Sequence, residues 1–355
     1  MLGALLLFVL GDVVVFRSGL YAWFAKPDSA AGWAVRRTLL APEPAAAADV
    51  ASVLLLGDSR ISEACDERQL RELLGAPPVA VVMGALPGSS PRVWPDTFAR
   101  MPAPPGGWRL VVVGLAEFDD DGDGEPQFER LHDLAFLGPW LLPARAHELA
   151  TELDVADNPH AVRDVWLSTF CKAFAWRRDV QDLCADPWTR YQEVRRQLGR
   201  RSWGGPYEGV DRSLVGVRVE NGAIVGPVGD ERQDRVVLRH LVFRDHRVDN
   251  AAYRRRWLGE LVERVTAAGA QIVFVRLPSQ VLPRATPRVP NTNVLDELAQ
   301  RPGVHVLPFE LFAALEAPEY FFDALHVNRA GRRLLTPLLA NVLRTLFASE
   351  LRRPR

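Results

Sequence analysis

Short, mostly apolar runs recur in two separate stretches of the chain, each ending abruptly in glycine or polar residues. They lie at 52–57, 78–83 and 108–113 in the first stretch and at 271–276 and 304–307 in the second. Runs of this length, bounded by turn residues, predict parallel strands covered on both faces, which have no need to alternate. Between them the apolar spacing becomes helical: Asp66–Leu74 closed by Gly75, Pro91–Met101, Asn250–Ala268 closed by Gly269, and Asn293–Gln300. A last helix runs to about Ala348, with Asn328 placed to cap it. Strand alternating with helix predicts an α/β fold with three α/β/α layers and a five-stranded parallel, flavodoxin-like sheet.

The rhythm breaks between about 119 and 250. Helical patterns rich in Trp and Phe cover 127–150, 161–182 and 187–199, and Asn221-Gly222 within 217–225 suits a type I′ hairpin turn. This middle leaves the sheet at the end of the third strand. It therefore reads as a large, mostly helical insertion over the active-site face, shaping substrate choice. Its opening, Asp119-Asp120-Asp121-Gly122-Asp123-Gly124-Glu125, has the carboxylates and sixth-place glycine of a calcium loop. Position twelve is Arg130 instead of the closing glutamate, which favours a solvated acidic loop.

Residues 2–16 are apolar apart from Asp12, and extended through Ala25 the segment reaches the ~20 residues of a membrane span. Asp12 and Arg17 would then sit inside it, a cost unless they pair. Residues 1–26 read as a membrane anchor, with a cleaved signal peptide or a buried first helix as alternatives. No basic residue precedes the apolar run, which argues against the signal peptide. Arg17, Lys26, Arg36 and Arg37 all follow it, a distribution that by itself places the body in the cytoplasm. Residues 27–50, with Pro42-Glu43-Pro44 and four alanines, read as a linker to a domain over 51–350.

At 355 residues the chain can bury a large core. A net charge of −1 implies no nucleic-acid partner. The three cysteines, Cys65, Cys171 and Cys184, lack metal-ligand spacing. Cys171 and Cys184 could pair in an oxidising compartment, or all three could be free thiols.

Candidate chemistry gathers at two distant points. The first strand ends in Gly57-Asp58-Ser59-Arg60, and open α/β sheets carry their sites just past such ends. Ser59 could be an exposed nucleophile or simply a helix N-cap. Near the other end, Asp323 precedes His326 by three residues, a spacing that lets a carboxylate hold one ring nitrogen while the other faces out. Asp58 reads as a brace for the turn. Such a triad works without metal or cofactor.

Gly-Asp-Ser early and Asp-x-x-His late, each beside a predicted strand, resembles the SGNH/GDSL family of esterases and acyl-ester transferases. The resemblance covers about 50–118 and 250–347. It implies Ser59 as nucleophile, His326 as base and Asp323 as its orienting acid. It also implies an oxyanion-donating N–H at Gly84, beside a backbone N–H of Ser59 or Arg60. The family's Gly-x-Asn-Asp block falls on Gly114-Leu115-Ala116-Glu117, so alanine replaces the asparagine donor. The side chains of Arg60 and Arg276 are possible replacements. By the same resemblance the substrate is an acylated polysaccharide or lipid, the catalytic domain extracytoplasmic and membrane-anchored, and a membrane-bound acyl-transfer protein a possible partner. The missing donor leaves a second reading, a scaffold or binding protein that keeps the fold without turnover. A soluble cytoplasmic esterase is the third.

Overall fold

A computed structural model describes residues 2–39, 50–75, 78–116, 118, 120, 133–152, 159–198, 218–220, 223–225, 249–279, 291–323 and 325–348. The chain divides into two compact units, each assembled from separate segments.

One unit comprises Pro42–Pro87, Pro102–Glu125 and Gly204–Arg355. Its centre is a five-stranded sheet of β1 (Ala51–Gly57), β2 (Val79–Met83), β3 (Leu110–Leu115), β6 (Gln271–Arg276) and β7 (Val304–Val306). The order is β2-β1-β3-β6-β7 and every pairing is parallel. This is the flavodoxin-type order, whose switch point lies between β1 and β3. β1 and β3 are buried at every position, which explains why neither run alternates.

Alternate residues of the strands, among them Val53, Leu55, Val81, Val112 and Val273, share one core with Ile61, Leu70, Leu335 and Leu339. Those last four come from helices Ser59–Ala64, Glu67–Leu74 and Arg329–Leu346. The predicted helix from Asp66 begins one residue later, because the Asp66 side chain is its N-cap and accepts the Gln69 N–H at 3.0 Å. Helix Ala251–Ala267 packs on β6, and Asn293–Ala299 on β7.

Buried Asp120, just beyond β3, joins those two helices. Its carboxylate accepts the Val294 N–H at 2.8 Å and lies 3.3 Å from Arg254. The rest of the acidic loop at 119–125 lies outside the described residues, and among the described residues no cluster of His, Cys, Asp and Glu could hold a metal. The hairpin expected at 217–225 forms as β4 (Arg218–Glu220) against β5 (Ala223–Val225), its Asn-Gly turn outside the described residues.

The other unit comprises Met1–Ala41, Gly88–Met101 and Pro126–Trp203. The first helix, Leu2–Gly11, passes into a π-helical stretch, Asp12–Arg17. Helix Ala30–Thr38, capped by Ser29, occupies part of the stretch read as a linker. Its Ala31 and Val35 share a core with Tyr21, Ala25 and Trp176. The proline-rich part, at 42–48, lies outside the described residues. Asp179 secures this packing by accepting from the Tyr21 hydroxyl at 2.8 Å, the Lys26 N–H at 2.9 Å and Arg190 at 2.8 Å.

The helix expected over 161–182 is instead three, Pro159–Phe170, Lys172–Ala175 and Arg177–Ala185. The break at Cys171 is tertiary in origin: the Asp12 carboxylate accepts the Ala173 N–H at 2.7 Å, and Lys172 donates to the carbonyls of Gly138 and Leu141. All three cysteines are free thiols, and burial pushes that of Cys65 up to about 12, so it is inert as a nucleophile. Among the described residues no helix is long and apolar enough to cross a membrane.

Candidate active site

The site is built at the carboxyl end of β1 by two glycines. Gly57 is paired with Gly114 across β1 and β3 and has φ +139°, a conformation L side chains rarely adopt. A Cβ on Gly57 would stand 2.7 Å from the Gly114 carbonyl oxygen, and one on Gly114 would stand 2.7 Å from Ile61. The bare backbone therefore lets helix Ser59–Ala64 settle onto β3. Asp58 caps that helix, its carboxylate accepting the Arg60 N–H at 2.8 Å. Asp58 thus braces the turn, and Ser59 opens the helix.

The partner loop is tied at several points. Phe321 bridges to Val327, the Phe322 N–H donates to the His326 carbonyl at 2.9 Å, and the Asn328 N–H donates to that of Tyr320 at 2.8 Å. Inside this loop one Asp323 oxygen accepts the N–H of Leu325 at 2.8 Å and of His326 at 2.7 Å. Asn328 then caps the last helix, accepting from Ala330 at 2.9 Å and Gly331 at 3.1 Å.

These two pieces of chain, 267 residues apart, meet: Ser59 Oγ lies 2.8 Å from His326 Nε2. His326 Nδ1 lies 2.9 Å from Asp323 Oδ2 and 3.0 Å from Oδ1. An ionised carboxylate only accepts, so the ring proton belongs on Nδ1 and Nε2 is left to accept the serine hydroxyl. Burial alone would push the Asp323 carboxyl up. The hydrogen bond and electrostatic attraction of the His326 ring, with the two backbone donors, outweigh it and hold the carboxyl below its ordinary value.

The remaining named residues are placed differently. The Gly84 N–H donates to the Leu55 carbonyl at 2.8 Å, continuing the β1–β2 ladder, so it is engaged and not aimed at an oxyanion. A side chain at Gly84 would meet Leu54 at 2.8 Å, which gives the glycine a packing role. The Arg60 N–H is likewise held by Asp58, and the Arg60 guanidinium lies 3.7 Å from the same carboxylate. Arg276 ends β6 as expected but pairs with Glu316 and stacks over Phe309 at 4.2 Å. Ala116 offers no side-chain donor. What remains is the Ser59 N–H, which as the first of its helix has no intrahelical acceptor.

One residue with no sequence signal belongs to this neighbourhood. Glu63, one helical turn beyond Ser59, is 3 % exposed. Burial pushes its carboxyl up, against the electrostatic pull of Arg332 and His326, while Asp323 adds to the rise. In sequence it is an ordinary helical glutamate. Only the docking of the last helix, with Arg332 donating to the Cys65 carbonyl at 2.9 Å, encloses it.

No protein-family model matches the chain, and no characterised protein matches it.

Proposed function

We propose that the chain is a serine acyl-ester hydrolase or O-acyltransferase of SGNH type. The single observation that carries this is the 2.8 Å contact between Ser59 Oγ and His326 Nε2, with Asp323 on the opposite ring nitrogen. In this reading His326 takes the Ser59 proton as the oxygen attacks an ester carbonyl. Collapse of the tetrahedral adduct expels the alcohol, which receives that proton from the imidazolium, and leaves an acyl-serine. Water, or the hydroxyl of an acceptor, then gives its proton to His326, attacks the acyl carbon and restores Ser59. Asp323 stabilises the imidazolium in both halves. The acyl ester belongs to a glycan or lipid, and a membrane-bound acyl-transfer protein is a fitting partner.

The engaged N–H groups of Gly84 and Arg60, together with Ala116, favour a second reading, in which the fold is kept as a scaffold with little turnover. A fluorophosphonate probe separates the two. Labelling of the folded chain that disappears in Ser59→Ala is expected for the enzyme. No labelling and no ester turnover would assign the scaffold.

A further inference from the structure

We propose that helix Leu2–Gly11 is a membrane anchor. Its apolar shaft enters the hydrocarbon, and the Asp12–Arg17 stretch with Trp23 and Phe24 marks the water boundary. This inference is independent of the acyl-ester chemistry.

The shaft is bare on every side. Five consecutive residues, Leu6 to Leu10, are each 49–71 % exposed. At 3.6 residues per turn, five in a row cover the whole circumference. A folded partner or a second copy would bury one side of such a helix and leave the rest in water. Hydrocarbon covers all sides at once, the usual setting of a helix that is apolar all round.

The charges in the run are arranged to stay out of lipid. Asp12 and Arg17 are five apart, and the π-helical winding, with the Ser18 N–H donating to the Val13 carbonyl at 3.2 Å, brings them together at 2.8 Å. Asp12 also accepts the Ala173 N–H at 2.7 Å, and Arg17 donates to the Phe170 carbonyl at 2.6 Å. The pair is internally neutral and fastens the base of the shaft to the helices at 159–175.

The rim has the character of a headgroup boundary. Trp23 and Phe24 are half exposed, and the Phe24 carbonyl accepts from Arg190 at 3.1 Å. The helix carrying Arg190 presents the exposed Trp188–Tyr191 pair, its rings 5.6 Å apart. Exposed aromatic rings of this kind collect where hydrocarbon meets water. Ten helical residues measure about 15 Å, roughly half of the ~30 Å hydrocarbon core. From the water boundary these ten residues therefore reach about the middle of the bilayer.

The test is flotation of the full-length chain with phosphatidylethanolamine–phosphatidylglycerol vesicles. The wild type is expected to float, and Leu7→Asp with Leu10→Asp to reduce the bound fraction more than tenfold with an unchanged thermal unfolding transition. Depth is read in Cys171→Ser/Cys184→Ser protein carrying Gly3→Cys, a position with open space around it. A membrane-impermeant maleimide should fail to label residue 3 from outside or from the vesicle lumen, and should label it once detergent is added. Four results would each overturn the proposal: no flotation, flotation indifferent to the aspartates, labelling from the lumen, or a detergent-free dimer that the aspartates dissociate.

Discussion

Gly114 lies directly beneath Ile61, so close that a Cβ added to the glycine would stand 2.7 Å from the isoleucine Cβ. This contact sets the height of helix Ser59–Ala64 above β3, and with it the reach of Ser59 to His326. Gly114→Ala is expected to destabilise the fold by about 1–3 kcal/mol through overpacking, and to slow probe labelling of Ser59. Ile61→Ala in the same chain should restore labelling, because it returns the missing space. Chemical denaturation and labelling rates check both halves. A Gly114→Ala chain that labels at the wild-type rate would show that the helix height does not govern Ser59.

Asp323 ties the orientation of His326 to pH. Its carboxyl ionises more readily in the folded chain than in the unfolded one. The stability it contributes is therefore full above the ordinary carboxylate value of about 4, and is lost as pH falls through the lower folded value. Asp323→Asn should remove this acid dependence from the unfolding curve. For an active enzyme it should also lower kcat/KM by about 10⁴. Turnover near wild type in Asp323→Asn would assign the carboxylate a purely local role in its loop.

Glu63 behaves in the opposite sense. Its buried carboxyl is harder to ionise folded than unfolded. The folded chain holds that proton to higher pH, so the favourable contribution is complete below the ordinary value of about 4 and disappears as pH rises through the raised one. Glu63→Gln is expected to raise Tm at pH 7–8 and to leave it unchanged near pH 4. A uniform loss of Tm at both pH values would mean that packing, not charge, decides this position.

Asn328 joins the site loop to the last helix. It accepts two N–H groups of the helix and donates to the carbonyls of Glu319 at 2.8 Å and Phe321 at 3.3 Å. Asn328→Ala should cost about 1–3 kcal/mol, from the lost cap and the stranded carbonyls. Asn328→Asp keeps the acceptor and loses only the donor, so its cost should be smaller. Urea unfolding of the two variants orders them, and equal losses would remove the cap from the account.

Much of the sheet unit was legible because its signals are local. The run at 271–276 is strand β6 residue for residue, and Asn250–Ala268 is one helix within a residue at each end. Gly75 and Asn328 act where turn and cap chemistry put them. The helical middle was less legible. The break at Cys171 depends on a carboxylate from residue 12, and helix Ala30–Thr38 lies in a stretch whose alanines and prolines read as a linker. The oxyanion assignment to Gly84 failed for a similar reason: whether an N–H is free depends on its neighbouring strand, and here Leu55 takes it.

By itself the amino-acid order determined the parallel strands, the helices between them, and the residue types able to form a serine triad, since period, caps and turns act over a few residues. Which N–H groups stay free, how Glu63 becomes enclosed, where Arg276 finds its counter-ion and why the first helix is bare on all sides were decided only in three dimensions. Each depends on a group brought near from far along the chain, and hydrogen bonding, burial and charge are set by what stands within a few ångströms.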